Sequence, residues 1–230
     1  MAVWSPDGSR IAFSSQRDGN SNLYLKVSSG AGAEDVLLKS SGQKSPYDWS
    51  PDGRFLLYGQ LAGATGFDLL VLPLTGDDRR PRPYLATESQ ESQARFSPDG
   101  RFVAYTSDET GKSEVYVRPF PDASSGMWQI STAGGNQPRW RRDGKELFYI
   151  SADSKIMAVN VRTAPVFQQG DSKALFPTAI WGGAATVNVT RYDDSPDGQK
   201  FLINSVPADT SAPVVTPITV VLNWMTGLKR

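Results

Sequence analysis

The sequence predicts an all-β protein, a β-propeller made of five repeats of the four-stranded type. Three observations carry this. Ser-Pro-Asp-Gly stands at residues 5–8, 50–53, 97–100 and 195–198, and Arg141-Arg142-Asp143-Gly144 stands where one more copy is due. The turn aspartates Asp7, Asp52, Asp99, Asp143 and Asp197 are 45, 47, 44 and 54 residues apart. An aromatic residue (Trp4, Trp49, Phe96 or Trp140) precedes each of the first four turns, and a β-rich run follows. A period near 45 with these features is that of a propeller blade.

The third repeat displays the elements most clearly. Residues 93–96 form a short strand that feeds the turn at 97–100. In that turn Pro98 presets φ, Asp99 accepts backbone N–H groups, and Gly100 takes the positive φ that other residues resist. Residues 101–107 alternate apolar and polar, as a half-buried strand does. A hairpin loop at 108–112, a third strand at 113–120 and an outer strand at 127–131 complete the blade. The same order puts second strands at 10–15, 54–59, 146–151 and 200–205, and third strands at 22–27, 68–74, 155–161 and 217–224. Outer strands are expected at 36–39, 83–87 and 173–176.

The chain thus reads as a single domain, 1–230, with blades at about 2–45, 46–92, 93–136, 137–187 and 188–230. The fifth blade lacks its outer strand, since only 225–230 remain after the third. Two readings stay open: a fragment of a larger propeller whose closing strand lies upstream, or a complete five-bladed ring with one three-stranded blade. Unpaired edges of the terminal blades would invite self-association.

Composition narrows the chemistry. The chain carries 24 basic and 24 acidic residues, so nothing in its net charge draws it to nucleic acid. The longest apolar run, 218–222, is strand-sized, which argues against membrane insertion by this segment. Residues 1–2 lead straight into a strand, with no targeting signal ahead of them. Cysteine and histidine are both absent. Disulfides, thiolate or imidazole zinc sites and a Ser-His-Asp system are therefore ruled out. Neither a metal nor a cofactor is expected. The recurring turn pairs Asp7-Gly8, Asp52-Gly53, Asp99-Gly100, Asp143-Gly144 and Asp197-Gly198 each bring one carboxylate, whereas a calcium loop needs several. They read as structural turns.

The pattern aromatic-Ser-Pro-Asp-Gly-basic-apolar, followed by an apolar-Tyr-apolar strand, resembles the TolB-like propeller repeat. Residues 4–13 with Leu23-Tyr24-Leu25, 49–58 with Leu69-Leu70-Val71, and 96–105 with Val115-Tyr116-Val117 carry the likeness. Residues 113–121, 137–149 and 217–224 look like the C-terminal propeller of certain bacterial Ser/Thr protein kinases. That resemblance implies an extracytoplasmic or periplasmic sensor or protein-interaction module behind a kinase domain and a membrane span. No glycine-rich ATP loop, His-Arg-Asp loop or Asp-Phe-Gly occurs here, so kinase chemistry would lie outside this chain. Two alternatives remain: the gating propeller of a prolyl-oligopeptidase-like peptidase, or a free-standing TolB-like periplasmic envelope protein.

Two places suggest binding. The residue before each turn-proximal aromatic is Val3, Asp48, Arg95, Arg139 and, in the last repeat, Asp193. Innermost strands line a propeller's channel, so this column would bring two arginines and two aspartates around the axis, as a self-neutralising ring or a site for a polar or anionic ligand. Trp181, beside two glycines in the longest connection, is a candidate contact residue on the loop face. A protein or a small polar ligand at the loop face or channel mouth is the expected partner. Trp4, Trp49, Phe96 and Trp140 recur at blade period and are expected between blades.

Overall fold

The computed structural model describes residues 1–63, 66–180 and 189–205. Four four-stranded antiparallel sheets and one two-stranded sheet follow one another along the chain. The first holds β1 (Ala2–Trp4), β2 (Arg10–Asp18), β3 (Asn20–Val27) and β4 (Asp35–Leu38), paired in chain order. The second holds β5 (Lys44–Trp49), β6 (Phe55–Ala62), β7 (Gly66–Pro73) and β8 (Arg82–Leu85). The third holds β9 (Glu91–Phe96), β10 (Phe102–Ser107), β11 (Glu114–Pro119) and β12 (Trp128–Gln129). The fourth holds β13 (Gly135–Trp140), β14 (Glu146–Ser151), β15 (Lys155–Arg162) and β16 (Gln168–Pro177), and the last pairs β17 (Tyr192–Asp194) with β18 (Phe201–Ile203). A nearly all-β chain of consecutive meander sheets is what the repeat predicts. The outer strands depart most from expectation: β16 is ten residues long, while β12 has two. The third strand expected at 217–224 lies outside the described residues.

The turns form as their chemistry requires. Gly8, Gly53, Gly100, Gly144 and Gly198 all have φ between 68° and 74°, a region costly for residues with a Cβ. In the third turn Ser97 Oγ donates to Asp99 Oδ1 at 2.6 Å and accepts from Phe102 N at 3.0 Å, while Asp99 Oδ1 accepts from Arg101 N at 3.1 Å. The other Ser-Pro-Asp-Gly turns repeat this set. In the degenerate copy the Arg141 guanidinium replaces the serine and holds Asp143 at 2.7 Å. Hydrogen bonds from Ser5 and Ser9 draw the Asp7 carboxyl down to about 2. Each of these aspartates accepts hydrogen bonds from its own turn through Oδ1. No group of three metal-binding side chains occurs among the described residues.

The core lies between blades. Each sheet has a forward face that meets the next sheet and a back face that meets the one before. Val3, Ala12 and Leu23 of the first sheet pack on Trp49, Leu56 and Tyr58 of the second. Tyr47, Leu57 and Leu69 then pack on Phe96, Val103 and Tyr105, and Phe102, Ala104 and Val115 share a cluster with Trp140, Leu147 and Tyr149. Phe148, Ile150 and Ile156 close the series against Tyr192, Phe201 and Ile203. Trp49, Phe96 and Trp140 are accordingly buried. Trp4 departs from the expectation for its column: it is 60% exposed, because no sheet among the described residues covers its back face.

Two buried charged residues at one register position brace the connections between blades. Lys44 opens β5, and its Nζ donates to the carbonyls of Ser40, Ser41 and Gly42 at 2.7–3.1 Å. Glu91 opens β9, where its Oε1 accepts from Thr87 Oγ1 and its Oε2 has no partner among the described residues. Burial pushes the Glu91 carboxyl up to about 7, with the Asp68 and Glu109 charges adding to the shift. A carboxyl raised on folding contributes stability below its unfolded pKa and loses it as pH rises through the folded value. The domain should therefore lose stability between pH 4.5 and 7. Glu91→Gln should flatten that decline, read as the urea midpoint at each pH; an unchanged slope would contradict the assignment.

Candidate functional site

The innermost strands β5, β9 and β13 are each interrupted by a bulge next to the charged column. Two residues, Gln93-Ala94 in β9 and Gln137-Pro138 in β13, oppose a single residue of the neighbouring strand. Gln93 and Gln137 both sit at φ 56°, an unfavourable conformation that must be compensated. Their side chains supply the compensation. Gln93 Oε1 accepts from Thr106 Oγ1 and from Gln137 N, both at 3.0 Å, and its Nε2 donates to Val189 O at 3.1 Å. Gln137 Oε1 accepts from Arg191 N at 2.7 Å, and its carbonyl accepts from the Tyr192 hydroxyl at 3.0 Å. Each bulge glutamine thus ties its strand to the next innermost strand.

Between these ties sit the four charged residues of the column. Asp48 accepts from Trp49 N with Oδ1 and from Phe96 N with Oδ2, both at 2.9 Å. Arg95 Nη1 lies 3.8 Å from Asp48 Oδ1 and donates to the Tyr47 carbonyl, while Nη2 donates to Thr190 Oγ1 at 3.1 Å. Arg139 Nη1 lies 3.4 Å from Asp193 Oδ1. The column is therefore brought together as two ion pairs, Asp48–Arg95 and Arg139–Asp193, and Val3 stays apart in the apolar core.

The electrostatics are those of a crowded, partly desolvated cluster. Burial pushes the Asp48 carboxyl above its usual range, against the pull of Arg95. Burial, with Arg139 nearby, lowers the Arg95 guanidinium to about 10, which leaves it cationic at neutral pH. The Asp194 carboxyl beside the cluster rises to about 6, through burial and then the Asp193 charge. The Nε–H groups of Arg95 and Arg139 have no partner among the described residues. Two neighbouring cations thus each hold a buried, unsatisfied Nε–H donor, and guanidinium donors are the natural partners of a planar oxyanion.

A pocket of about 460 Å³ opens beside the cluster, lined by Met1, Ser14, Ser15, Gln43, Ser45 and Val189 among others. Val189 joins the two, since its carbonyl takes the Gln93 amide while Thr190, next in the chain, holds Arg95. Trp181 lies outside the described residues. Sequence reasoning missed Gln93 and Gln137. Their signal was the spacing Gln-x-Arg-aromatic, present in both Gln93-Ala94-Arg95-Phe96 and Gln137-Pro138-Arg139-Trp140.

Comparison with known proteins places the fold. A TolB-type protein from Agrobacterium tumefaciens is 24% identical, with a TM-score of 0.70 over 89% of this chain and 73% of that one. TolB from Acinetobacter baumannii is 20% identical, with a TM-score of 0.68 over 90% of this chain and 48% of that one. A puromycin-hydrolyzing peptidase of Mycobacterium tuberculosis is 19% identical, with a TM-score of 0.59, and the match covers 82% of this chain and 32% of that one. This chain thus spans about half of the Acinetobacter protein and a third of the peptidase. No curated protein sequence matches it. No helix among the described residues is long and apolar enough to cross a membrane. The model of the TolB beta propeller domain matches residues 3–175, and the chain belongs to that family.

Proposed function

We propose that this chain is a non-catalytic binding module that receives an acidic group, from a protein or a small ligand, at the mouth of its axial cluster. The observation that carries the reading is the pair of spare Nε–H donors on Arg95 and Arg139. Asp48 and Asp193 balance the charge without occupying those donors. The sequence holds neither histidine nor cysteine, so an imidazole-activated nucleophile or a thiolate cannot stand beside the arginines. The resemblance of residues 113–121 and 137–149 to kinase-tail propellers supports an extracytoplasmic place, as the sensor end of a bacterial receptor-type Ser/Thr kinase. The fold likeness to a peptidase propeller favours a second reading, in which the chain gates a hydrolase domain carried elsewhere on its polypeptide.

Citrate tests the binding role. It should raise the melting temperature of the chain, by the equivalent of about 2.7 kcal/mol at a hundred times its Kd. Arg139→Gln should abolish the rise. No stabilisation by any of several di- and tricarboxylates would overturn the proposal, as would ester or peptide turnover by the purified chain.

A further inference from the structure

Two neighbouring junctions are built alike at the end of the molecule that carries the Asp-Gly turns. Between the third and fourth blades, Phe167 packs on Phe102, Trp128 and Trp140, with ring centroids 5.2, 4.8 and 6.4 Å apart. Between the second and third, Phe120 packs on Phe55, Tyr84 and Phe96 at 5.4, 5.8 and 5.0 Å. The positions correspond. Phe55 N and Phe102 N each donate to the serine hydroxyl of the preceding turn, and Arg54 N and Arg101 N each donate to the turn aspartate.

One junction is closed and the other is open. Arg101 reaches forward, and its Nη1 donates to the Thr163 carbonyl at 2.9 Å. That bond ties residues 163–167, Thr-Ala-Pro-Val-Phe, to the third turn. Phe102 and Phe167 are accordingly only 5% and 3% exposed. Arg54, the counterpart of Arg101, turns back instead, and its Nε donates to Asp52 Oδ2 at 2.6 Å. No hydrogen bond from Arg54 to the third blade occurs among the described residues. Phe55 and Phe120 stay half-buried. A pocket of about 430 Å³ opens there, lined by both rings, Pro51, Pro121, Arg54 and Arg101 among others.

The polar groups of this pocket decide what fits it. Asp52 Oδ1 accepts from Ser50 Oγ and Arg54 N, and Asp99 Oδ1 from Ser97 Oγ and Arg101 N. Its acidic groups thus take donors from their own turns, while its two guanidiniums bring donors. A peptide carbonyl entering here meets a cation, whereas a peptide N–H finds little to bond. Proline has no N–H to leave unpaired, and it favours an extended chain.

We propose that the pocket between the second and third turns docks a proline-containing extended segment of a partner protein. The segment lays its prolyl ring on Phe55 and Phe120 and gives a main-chain carbonyl to Arg54, as residues 163–167 give one to Arg101. This is the aromatic-groove mode of proline recognition. It does not depend on what the axial cluster binds.

Nitrogen-15 NMR of the 230-residue chain, titrated with acetylated and amidated Thr-Ala-Pro-Val-Phe, tests it. The amide signals of Arg54, Phe55, Gly100 and Phe120 should shift to saturation. Arg54→Ala should weaken binding about fivefold, the worth of one hydrogen bond. Its far-UV circular dichroism should be unchanged, since Arg54 is exposed. Arg80→Ala, an exposed change outside the pocket, should leave binding as it is. The peptide Thr-Ala-Ala-Val-Phe should bind more weakly than its proline parent. Absence of shifts at the four amides would overturn the proposal, as would equal binding of the two peptides or of tetraglutamate. Shifts at Thr163 and Phe167 instead would mean that the peptide displaces the chain's own segment, and would overturn it too. The same shifts appearing with protein concentration alone would make a second copy the occupant, with the same consequence.

Discussion

Arg95→Ala is expected to lower the unfolding free energy by about 3–5 kcal/mol, the range for removing one partner of a buried ion pair. The Arg95 side chain is only 12% exposed, so water does not replace the contacts it gives up. The substitution strands the Tyr47 carbonyl and the Thr190 hydroxyl that Arg95 now serves, and it leaves Asp48 with a charge that burial already disfavours. Asp48 keeps its two backbone N–H donors, so the strand geometry should survive while stability falls. Denaturant unfolding at pH 7 reads the loss as a lower midpoint with an unchanged slope. Adding Asp48→Asn to Arg95→Ala should recover part of it, since the carboxylate left uncompensated is gone. A loss below about 1 kcal/mol would mean that the cluster is hydrated like a surface pair.

Trp140→Ala should cost a similar amount, about 3–5 kcal/mol. Its ring packs between the third and fourth blades against Phe167, and its Nε1 donates to the Arg95 carbonyl at 3.1 Å. Truncation removes apolar contact area, opens a cavity and leaves a buried carbonyl without its donor. Trp4→Ala in the equivalent column position should change stability by no more than about 0.5 kcal/mol in dilute solution, as surface substitutions do. Thermal or urea unfolding at low protein concentration compares the two directly. Equal costs would mean that Trp4 is covered in solution.

The contrast between these two tryptophans marks how far the sequence could be read. The Ser-Pro-Asp-Gly turns are local chemistry. Serine, proline, aspartate and glycine each fill a role set by neighbours within five residues, so the turns and the order of strands around them were legible. Strand positions followed from the turns. The burial of a first-strand aromatic is not local, because it depends on whether a blade lies behind it. Trp4 and Trp49 read alike and differ only in that neighbour. The bulges at Gln93 and Gln137 were hidden for the same reason, since the bonds that compensate their positive φ reach 44 and 54 residues onward into the next repeat.

The charged column was legible as a list and only partly as a geometry. Its period gave Asp48, Arg95, Arg139 and Asp193, but not which would pair. Pairing is fixed by the bulges, which re-aim the strand just ahead of each arginine. The donors that support a binding role are equally hidden: Arg95 spends both terminal nitrogens on neighbours, and its Nε–H has no partner among the described residues. Residue type alone gives no sign of it.

Proton–nitrogen NMR of the arginine Nε–H groups, assigned with Arg95→Lys and Arg139→Lys, reads those donors directly. Titration with citrate should move the Arg95 and Arg139 signals downfield together and to saturation, while signals of arginines away from the cluster, such as Arg54 and Arg80, stay in place. Signals of Arg95 and Arg139 that do not move, or that move no more than those of exposed arginines, would contradict a binding role for the axial cluster.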